Sequence, residues 1–387
     1  MPADFRAQLP ALANKTYFNY GGQGPLPTSS LEAITACWRT IQELGPFTGA
    51  VWPFIAQTTG RLRQHLARWF GVGPHRIAFT ENVTSGCVLP LWGLPWQAGD
   101  ELLISDCEHP GVVAACRELA RREGLLLATL PVADLRGTPS DTDAQVLQRL
   151  EEQLTPATRL VVLSHLLWNT GQVMPIAAVA AALVGHGRHP WLLVDGAQSL
   201  GSIPVADTAA AADIYACTGH KWCCGPEGLG AVALSERMLQ ESQPTLIGWR
   251  SLSQEGNSQS EFHGDSRRFE VATSCVPLYA GLEQSLLLLD AEGTAEQRLD
   301  RIQRRSSKLW QGLQALSAAT PLLEVPPPAG LVSFQLGDER PEAVVERLGQ
   351  RDIWLRSLDN PHCLRACTHI STRDDEIDQL LAALANS

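Results

Sequence analysis

Seven short apolar runs, separated by helical stretches, occupy the first two thirds of this chain of 387 residues. Apolar runs without a polar alternation are typical of parallel strands that are buried on both faces. Strands that alternate with helices predict an α/β fold with a mostly parallel, doubly wound sheet. The predicted strands are residues 77–80, 102–105, 126–131, 160–164, 191–195, 213–218 and 230–234.

The length of the chain and its 44% hydrophobic and 18% charged content are sufficient for one large core and a smaller one. We predict an N-terminal arm at residues 1–20, which packs with the smaller domain. A large domain follows at residues 21–277, and residues 278–387 form a connecting helix and a small C-terminal α/β domain.

Periodicity predicts the elements of the C-terminal part in more detail. One long helical span is expected from about 278 to 317, followed by strands near 330–336, 353–357 and 364–370. The last helix has an apolar face of Leu380, Leu381 and Leu384. The polar, turn-prone stretch 251–268 is expected to be a surface loop.

Two ionisable residues follow predicted strands of the large domain. Asp195 ends the apolar run that begins at Trp191, and Lys221 comes directly after Thr218-Gly219-His220. Ligands of open α/β sheets bind beyond the carboxyl ends of the strands, so both side chains are expected to face one crevice. Taken alone, the aspartate could equally cap the next helix, and a lone lysine is usually a surface charge.

Together these residues match the requirements of pyridoxal phosphate (PLP), which needs an amine for its aldehyde, an anion for its ring nitrogen and donors for its phosphate. Lys221 is the predicted amine and Asp195 the predicted anion, while Gln198 can hydrogen-bond the phenolic oxygen. Thr84 and Ser85 are candidate phosphate ligands because they open a predicted helix. The ring of His109 is suited to cover the face of the cofactor, although a histidine in a loop is more often merely exposed.

Nine sequence stretches resemble the class V aminotransferase fold, within the fold-type I PLP enzymes, and most closely the cyanobacterial-type L-cysteine/cystine C-S lyases. The stretches are YFNYGGQGPLP (17–27), TENVTSGCVLPLWGL (80–94), DCEHPG (106–111), SHLLWNTGQVMP (164–175), VDGAQS (194–199), TGHKW (218–222), GWRS (248–251), RRFEVATS (267–274) and LRAC (364–367).

The resemblance implies a role for each site residue. Lys221 would be the Schiff-base lysine, with Asp195 on the ring nitrogen, Gln198 on the phenolic oxygen and His109 stacked on the ring. The remaining cofactor-binding residues implied in this way are Thr84, Ser85, Asn169, Thr218 and His220, together with Thr273 from a partner subunit. The resemblance therefore implies a homodimer in which residues 21–277 bind PLP.

Composition limits the other partners. The net charge of -11 and the pI near 5.4 argue against nucleic-acid binding, which needs a basic stripe. No run reaches the roughly 18 apolar residues of a membrane span, and the first ten residues do not form an apolar signal segment, so a soluble cytoplasmic protein is expected. The ten scattered cysteines are expected to be reduced, and the loose cluster of Cys363, Cys367, His362 and His369 does not have zinc-site spacing, so no metal is predicted.

The C-terminal tail indicates the substrate. A guanidinium on a strand holds an amino-acid carboxylate bidentately, and Arg365 is the first candidate, with Arg356 as a second cation at the mouth of the site. Related desulfurases carry a mobile cysteine loop between these arginines, whereas the connection here, residues 357–364, is too short. Cys363 is therefore not expected to be a nucleophile.

These residues predict β-elimination of cystine or cysteine to pyruvate, ammonia and persulfide or sulfide, with cystine preferred because a persulfide is the better leaving group. A cysteine or selenocysteine desulfurase and an epimerase-like enzyme remain alternatives within the PLP enzymes. Outside the enzymes, the clustered cysteines leave a redox or metal sensor as a further alternative.

Overall fold

The computed structural model describes residues 5–254 and 261–385. The helices are α1 (Thr28–Leu44), α2 (Val51–Trp69), α3 (Val83–Trp92), α4 (Pro110–Glu123), α5 (Pro139–Gln153), α6 (Ile176–Val184), α7 (Ala206–Ala211), α8 (Glu236–Glu241), α9 (Val276–Ala291), α10 (Ala295–Gln314), α11 (Pro341–Gly349) and α12 (Asp374–Ala385). The strands are β1 (Thr16–Tyr17), β2 (Ile77–Thr80), β3 (Glu101–Ser105), β4 (Leu126–Leu130), β5 (Thr158–Ser164), β6 (Trp191–Asp195), β7 (Ile214–Thr218), β8 (Gly230–Leu234), β9 (Ala319–Pro321), β10 (Leu331–Leu336), β11 (Ile353–Trp354), β12 (Arg356–Asp359) and β13 (His362–Cys367).

The seven predicted strands of the large domain form one sheet in the order β2-β8-β7-β6-β5-β3-β4. Strands β3 to β7 run parallel, and β8 is antiparallel to both of its neighbours. All residues of β3, β6 and β7 are buried, which explains their continuous apolar sequences. The prediction of a mostly parallel α/β sheet is confirmed.

Parallel pairing places the carboxyl ends of β3, β5, β6 and β7 at one edge of this sheet. Ser105, Ser164, Asp195 and Thr218 are the last residues of these strands. In the register of β5 and β6, Ser164 lies opposite Asp195. The chain order therefore gathers polar side chains at the edge where an open α/β sheet binds its ligand.

The long helical span predicted for 278–317 is two helices, α9 and α10. Gly293 has a φ of +113°, which a residue with a side chain rarely adopts, so the helix ends there. Thr294 then caps α10 by a capping box with Gln297, in which each side chain accepts from the backbone N–H of the other residue. The single long helix was wrong because a glycine and a capping residue interrupt an otherwise helical pattern.

The C-terminal tail forms a second sheet in the order β12-β13-β10-β9. The strands predicted near 330–336 and 364–370 are β10 and β13, whereas the strand predicted at 353–357 is divided into β11, which pairs with β1 in a separate two-stranded sheet, and β12. Strand β9 was not revealed by the sequence pattern. Helix α12 packs its apolar face on this sheet, with Leu380 and Leu384 buried and Leu381 half-buried. The division of the chain at residues 20 and 277 stays a prediction.

The N-terminal arm contacts the C-terminal tail. Strand β1 pairs in parallel with β11, Thr16 lying opposite Ile353. Arg6 forms a salt bridge of 2.9 Å with Glu376. The predicted surface loop at 251–268 is described only in part, since residues 255–260 lie outside the described residues. Within residues 5–254 and 261–385, no helix is both long and apolar enough to cross a membrane.

Candidate active site

A cavity of about 260 Å³ lies at the carboxyl edge of the large sheet. Of the predicted site residues, it brings together Thr84, His109, Asp195, Gln198, His220, Lys221, Arg356 and Arg365. It is completed by residues that the sequence reasoning did not single out, namely Gly21, Gly22, Asn82, Ser164 and Trp168. Residues that are far apart in the chain therefore share one concave site.

Lys221 lies in the turn that follows β7. The backbone carbonyl of His220 accepts from the N–H of Gly24, and the carbonyl of Lys221 accepts from that of Cys224, so the turn is fixed on both sides. Burial is the largest influence on the amine and lowers its pKa to about 8. Asp195 opposes this shift, while Arg365 and Arg356 add to it. A much larger fraction of Lys221 than of an ordinary exposed lysine is consequently a neutral, nucleophilic amine near neutral pH.

Asp195 is buried at the end of β6, and its Oδ1 accepts from the backbone N–H of Ala197 at 2.8 Å. Gln198, on the following turn, donates from Nε2 to the carbonyl of Gly21 at 2.9 Å and accepts at Oε1 from Trp222 at 2.9 Å. These two bonds fix the amide plane. One hydrogen of the Gln198 amide is still free to donate into the cavity, because an amide nitrogen carries two.

Helix α3 begins one residue earlier than the sequence suggested, at Val83. Asn82 is its N-cap, and the Asn82 side chain accepts from the N–H of Ser85 at 3.0 Å. Thr84 lines the cavity together with Asn82 and Val83, so the N-terminus of the helix borders this space. This helix terminus is suited to hold a phosphate group. An asparagine two residues before Thr84 is an ordinary capping signal that sequence reasoning missed.

His109 is the N-cap of α4, and its Nδ1 accepts from the N–H of Gly111 at 3.2 Å. Partial burial is the main cause that lowers the pKa of the imidazole, although Asp195 raises it. The ring of Trp168 meets it edge-on, with centroids 6.1 Å apart. A neutral ring held at this place can lie against a flat ligand without adding a charge.

Arg365 is almost completely buried in the cavity wall, with 1% of its surface exposed. Its Nη1 donates to the carbonyl of Trp168 at 2.7 Å, whereas Nε and Nη2 have no hydrogen-bond partner among the described residues. The Cys367 thiol lies beside the guanidinium. Two buried, unpaired donors on one guanidinium match the two oxygens of a carboxylate.

Gly21 makes room for this guanidinium. A Cβ atom at Gly21 would lie 2.9 Å from Nη2 of Arg365 and 2.9 Å from Oε1 of Gln198. Any larger residue would push Arg365 or Gln198 out of position. Arg356 lies opposite Arg365 in the pairing of β12 and β13, and its exposed side chain lines the mouth of the cavity.

Four predicted cofactor-binding residues do not line this cavity. The backbone N–H of Ser85 donates to the side chain of Asn82, the N-cap of α3. Thr218 is buried, but its hydroxyl is 2.8 Å from Nδ1 of His220 and can orient that ring. Asn169 is buried and donates to Cys107 at 3.5 Å and to the carbonyl of Asn360 at 3.3 Å.

The fourth of these residues, Thr273, is exposed in a different groove. The structure therefore brings together the amine, the anion and the guanidinium, but not all of the predicted phosphate ligands.

None of the ten cysteines, all of which are described, lines the cavity. Cys363 is fully buried, and burial raises the pKa of its thiol to about 11. Strands β12 and β13 are joined by the two residues Asn360 and Pro361, so the connection between the arginines is a tight hairpin. No group of three or more potential metal ligands occurs within the part of the chain that the structure describes.

This fold and site define a PLP-dependent enzyme of fold type I. The family model described as aminotransferase class-V matches residues 54–380, and the chain belongs to this family. The predicted family, enzyme class and cofactor are confirmed. The roles of the individual residues stay predictions.

Solved structures of C-DES, a cystine C-S lyase, are highly similar. The complex of C-DES with its reaction product cysteine persulfide is 46% identical in sequence, with a TM-score of 0.93, and the match covers 98% of this chain and 99% of that chain. A lysine-to-alanine variant of C-DES carries glycine covalently linked to its PLP cofactor and gives the same identity and TM-score.

Curated relatives carry different names. Isopenicillin N epimerase of Streptomyces clavuligerus is 31% identical, and the match covers 62% of this chain and 58% of that protein. A probable cysteine desulfurase of Pseudomonas aeruginosa is 27% identical over 100% of this chain and 98% of that protein. The family thus includes proteins named for more than one reaction.

The environment of Lys221 predicts how the apoprotein takes up PLP. Only the deprotonated amine attacks the aldehyde, so incorporation should accelerate with pH and level off above the Lys221 pKa of about 8. The rate is measured by the growth of cofactor absorbance, and borohydride followed by peptide mapping locates the label. The chain has only two other lysines, Lys15 and Lys308, and their alanine variants are matched controls. A label on either, or cofactor reduction in Lys221→Ala, contradicts the assignment.

Proposed function

We propose that this enzyme cleaves the β C–S bond of L-cystine, and more slowly that of L-cysteine, to give pyruvate, ammonia and persulfide or sulfide. The observation that carries the proposal is the buried, half-unpaired Arg365 guanidinium in the cavity of Lys221, from which all cysteines are excluded. The similarity to C-DES, a cystine C-S lyase, supports the same reaction.

The residues of the cavity are suited to PLP. Lys221 supplies the amine, Asp195 the carboxylate for the ring nitrogen, His109 a flat ring, and Gln198 an amide hydrogen. The start of α3, Thr84 and His220 would hold the phosphate. When bound, PLP supplies an electron sink for the charge that develops at the substrate Cα.

The protein side chains provide binding, orientation and proton transfer. Arg365 would hold the α-carboxylate by two parallel hydrogen bonds, which fixes the Cα–H bond relative to Lys221. Lys221, in its neutral amine form, would remove the Cα proton. Asp195 would hold the proton on the ring nitrogen of the bound cofactor. Arg356, at the mouth, provides a second positive charge for the distal carboxylate of cystine.

The β12–β13 hairpin favours elimination over sulfur transfer to the enzyme. A desulfurase of this fold needs a thiol on a mobile segment that reaches the substrate sulfur. Here the hairpin turn contains two residues, and the Cys363 thiol beside it is buried with a raised pKa. The leaving sulfur would therefore depart with the product and not on the protein.

Arg365→Ala should lower kcat/KM for cystine roughly 100-fold, equivalent to about 3 kcal/mol, because two charge-assisted hydrogen bonds to the carboxylate are lost. KM should rise, and kcat should fall because the substrate is no longer oriented. Pyruvate release, coupled to lactate dehydrogenase, provides the assay. Arg340→Ala is the matched control, since Arg340 is an exposed arginine of the same tail. Equal kinetics for the two variants would refute the assignment.

Cys363→Ser should retain most of the pyruvate production from cystine, because the reaction uses no protein thiol. The assay should measure pyruvate, sulfide and persulfide together, so that elimination and sulfur transfer are separated. A variant that is folded and yellow but inactive would favour the desulfurase. Formation of the α-epimer without pyruvate would favour the epimerase-like reaction.

A homodimer is part of the same proposal, with Thr273 reaching the phosphate of the partner's cofactor. Thr273 lies in a groove with Trp38, Ile41, Phe47, Trp52 and Trp249. Phe47 is 87% exposed and Trp38 48% exposed in the isolated chain. Large apolar side chains that cluster on a surface typically mark a protein interface, and a second copy of the chain would cover them.

Phe47→Asp combined with Trp38→Asp should shift the protein from dimer to monomer, because charges would be buried at this interface. Sedimentation velocity gives the assembly state, and cofactor titration should show weaker PLP binding. Val184→Asp, which changes an apolar residue with 64% exposure at the end of α6, is the control and should stay dimeric. A fully active wild-type monomer at nanomolar concentration would contradict the dimer. Cytoplasmic localisation stays a prediction.

A further inference from the structure

Glu108 is a buried carboxyl group that the proposed reaction does not use. It follows β3 and has 6% of its surface exposed. Its Oε1 accepts from the hydroxyl of Ser105 at 2.6 Å and from the N–H of Ser164 at 2.7 Å, and its Oε2 accepts from the hydroxyl of Ser164 at 2.8 Å. Within residues 5–254 and 261–385, Glu108 makes no salt bridge.

These three bonds connect Glu108 to the ends of β3 and β5, and β5 is the strand next to the one that ends at Asp195. Ser105 ends β3 and Ser164 ends β5, and Ser164 lies directly opposite Asp195 in the sheet. Ser164 also lines the active-site cavity. His109, which faces the same cavity, is the next residue in the chain. Glu108 thus connects the ends of β3 and β5 without lining the cavity itself.

Burial is the largest influence on Glu108 and raises the pKa of its carboxyl to about 7. The hydroxyl and N–H donors of Ser105 and Ser164 oppose this shift, and the negative charge of Asp195 adds to it. Three donors favour the ionised carboxylate, but a buried charge without a cation is costly. A cation beside Asp195 would therefore favour the ionised form.

We propose that Glu108 is a positioning residue that acts through Ser164 and Asp195, and that its negative charge helps to keep the ring nitrogen of PLP protonated. The proposal rests on the assignment of Asp195 to the ring nitrogen, which belongs to the proposed function. Glu108 and Asp195 are coupled electrostatically, and two nearby carboxylates attract a positive ring more strongly than one does. The effect requires the charge of Glu108 and not only its shape.

The charged and titratable groups that face Glu108 come from the elements packed around it. They are Asp195 at the end of β6, Asp106, Cys107 and the adjacent residue His109 in the same loop, Cys116 and Arg117 on α4, and Cys87 on α3. Arg117 and Asp106 line a separate cavity on the outer side of Glu108. Of these groups, only Asp195 and His109 also line the Lys221 cavity.

Two cofactors that differ only at the ring nitrogen distinguish the effect of the Glu108 charge from the effect of its shape. PLP carries a ring nitrogen that can be protonated, whereas 1-deaza-pyridoxal phosphate has a C–H group at this position and is otherwise the same size. Glu108→Gln removes the charge but retains an amide oxygen that can accept from the N–H of Ser164. The affinity of each apoprotein for both cofactors is measured by fluorescence titration, which is independent of the amino-acid reaction that the enzyme catalyses.

Glu101→Gln is the matched control. Glu101 is also buried, begins the same strand, and accepts from the hydroxyls of Thr155 at 3.0 Å and Thr158 at 2.6 Å. It lies at the opposite end of β3 from the cavity. This variant should leave both affinities unchanged, while its melting temperature measures the cost of neutralising a buried glutamate.

For Glu108→Gln, we expect the affinity for PLP to fall roughly tenfold and the affinity for the deaza cofactor to change less than about twofold. Equal losses for the two cofactors would mean a purely structural role, and no loss for either would mean that Glu108 carries no charge in the complex. Each of these results overturns the proposal. If Glu108→Gln does not fold, Ser164→Ala takes its place, because loss of one donor further disfavours the ionised carboxylate and should weaken PLP selectively. Failure of every protein, wild type included, to bind PLP would instead refute the proposed function.

Discussion

The buried position of the Lys221 amine is the constraint on which the rest of the site depends. An ammonium group loses its hydration when it is buried, so the neutral amine is favoured and its pKa falls to about 8. The positive charges of Arg365 and Arg356 lower this pKa further, whereas the negative charge of Asp195 raises it. Part of the Lys221 population is therefore a neutral amine at neutral pH, and no separate base is needed to deprotonate it.

Keeping this arrangement requires parts of the chain that lie far apart in sequence. The arm brings Gly21 against Arg365 and Gln198, and only a glycine allows that approach. Gln198 in turn binds the carbonyl of Gly21 and the indole of Trp222, next to Lys221. The N–H of Cys367 donates to the carbonyl of Phe18, so the arm is also fixed to the strand that carries Arg365. The start of the chain thus joins the strand of Arg365 to Gln198 and Trp222, which follow β6 and β7 of the large sheet.

The strands and the main charged residues could be predicted from the sequence for a physical reason. A strand buried on both faces has a continuous apolar sequence, and a polar residue directly after it lies at the binding edge, as Asp195 does. Ser164 and Glu108 were not singled out, because their importance depends on which strands are neighbours, and pairing is not a local property of the sequence. Asn169 was assigned by resemblance; its side chain donates to Cys107 and to the carbonyl of Asn360, and its role at the cofactor stays a prediction. The break between α9 and α10 was missed because periodicity alone does not register a glycine with positive φ.

The hairpin between Arg356 and Arg365 limits the sulfur chemistry of this chain. A thiol can accept sulfur only if it reaches the substrate as a thiolate, and both conditions fail for Cys363, whose side chain is buried and whose pKa is raised to about 11. Cys367 lies closer to the site, beside Arg365, but it is also buried, and desolvation outweighs the arginine and raises its pKa as well. The two-residue turn between β12 and β13 is too short to bring either thiol into the cavity. The pairing of β12 and β13 that fixes Arg365 therefore also leaves the Cys363 and Cys367 thiols buried, and in the proposed reaction the sulfur would leave with the small product.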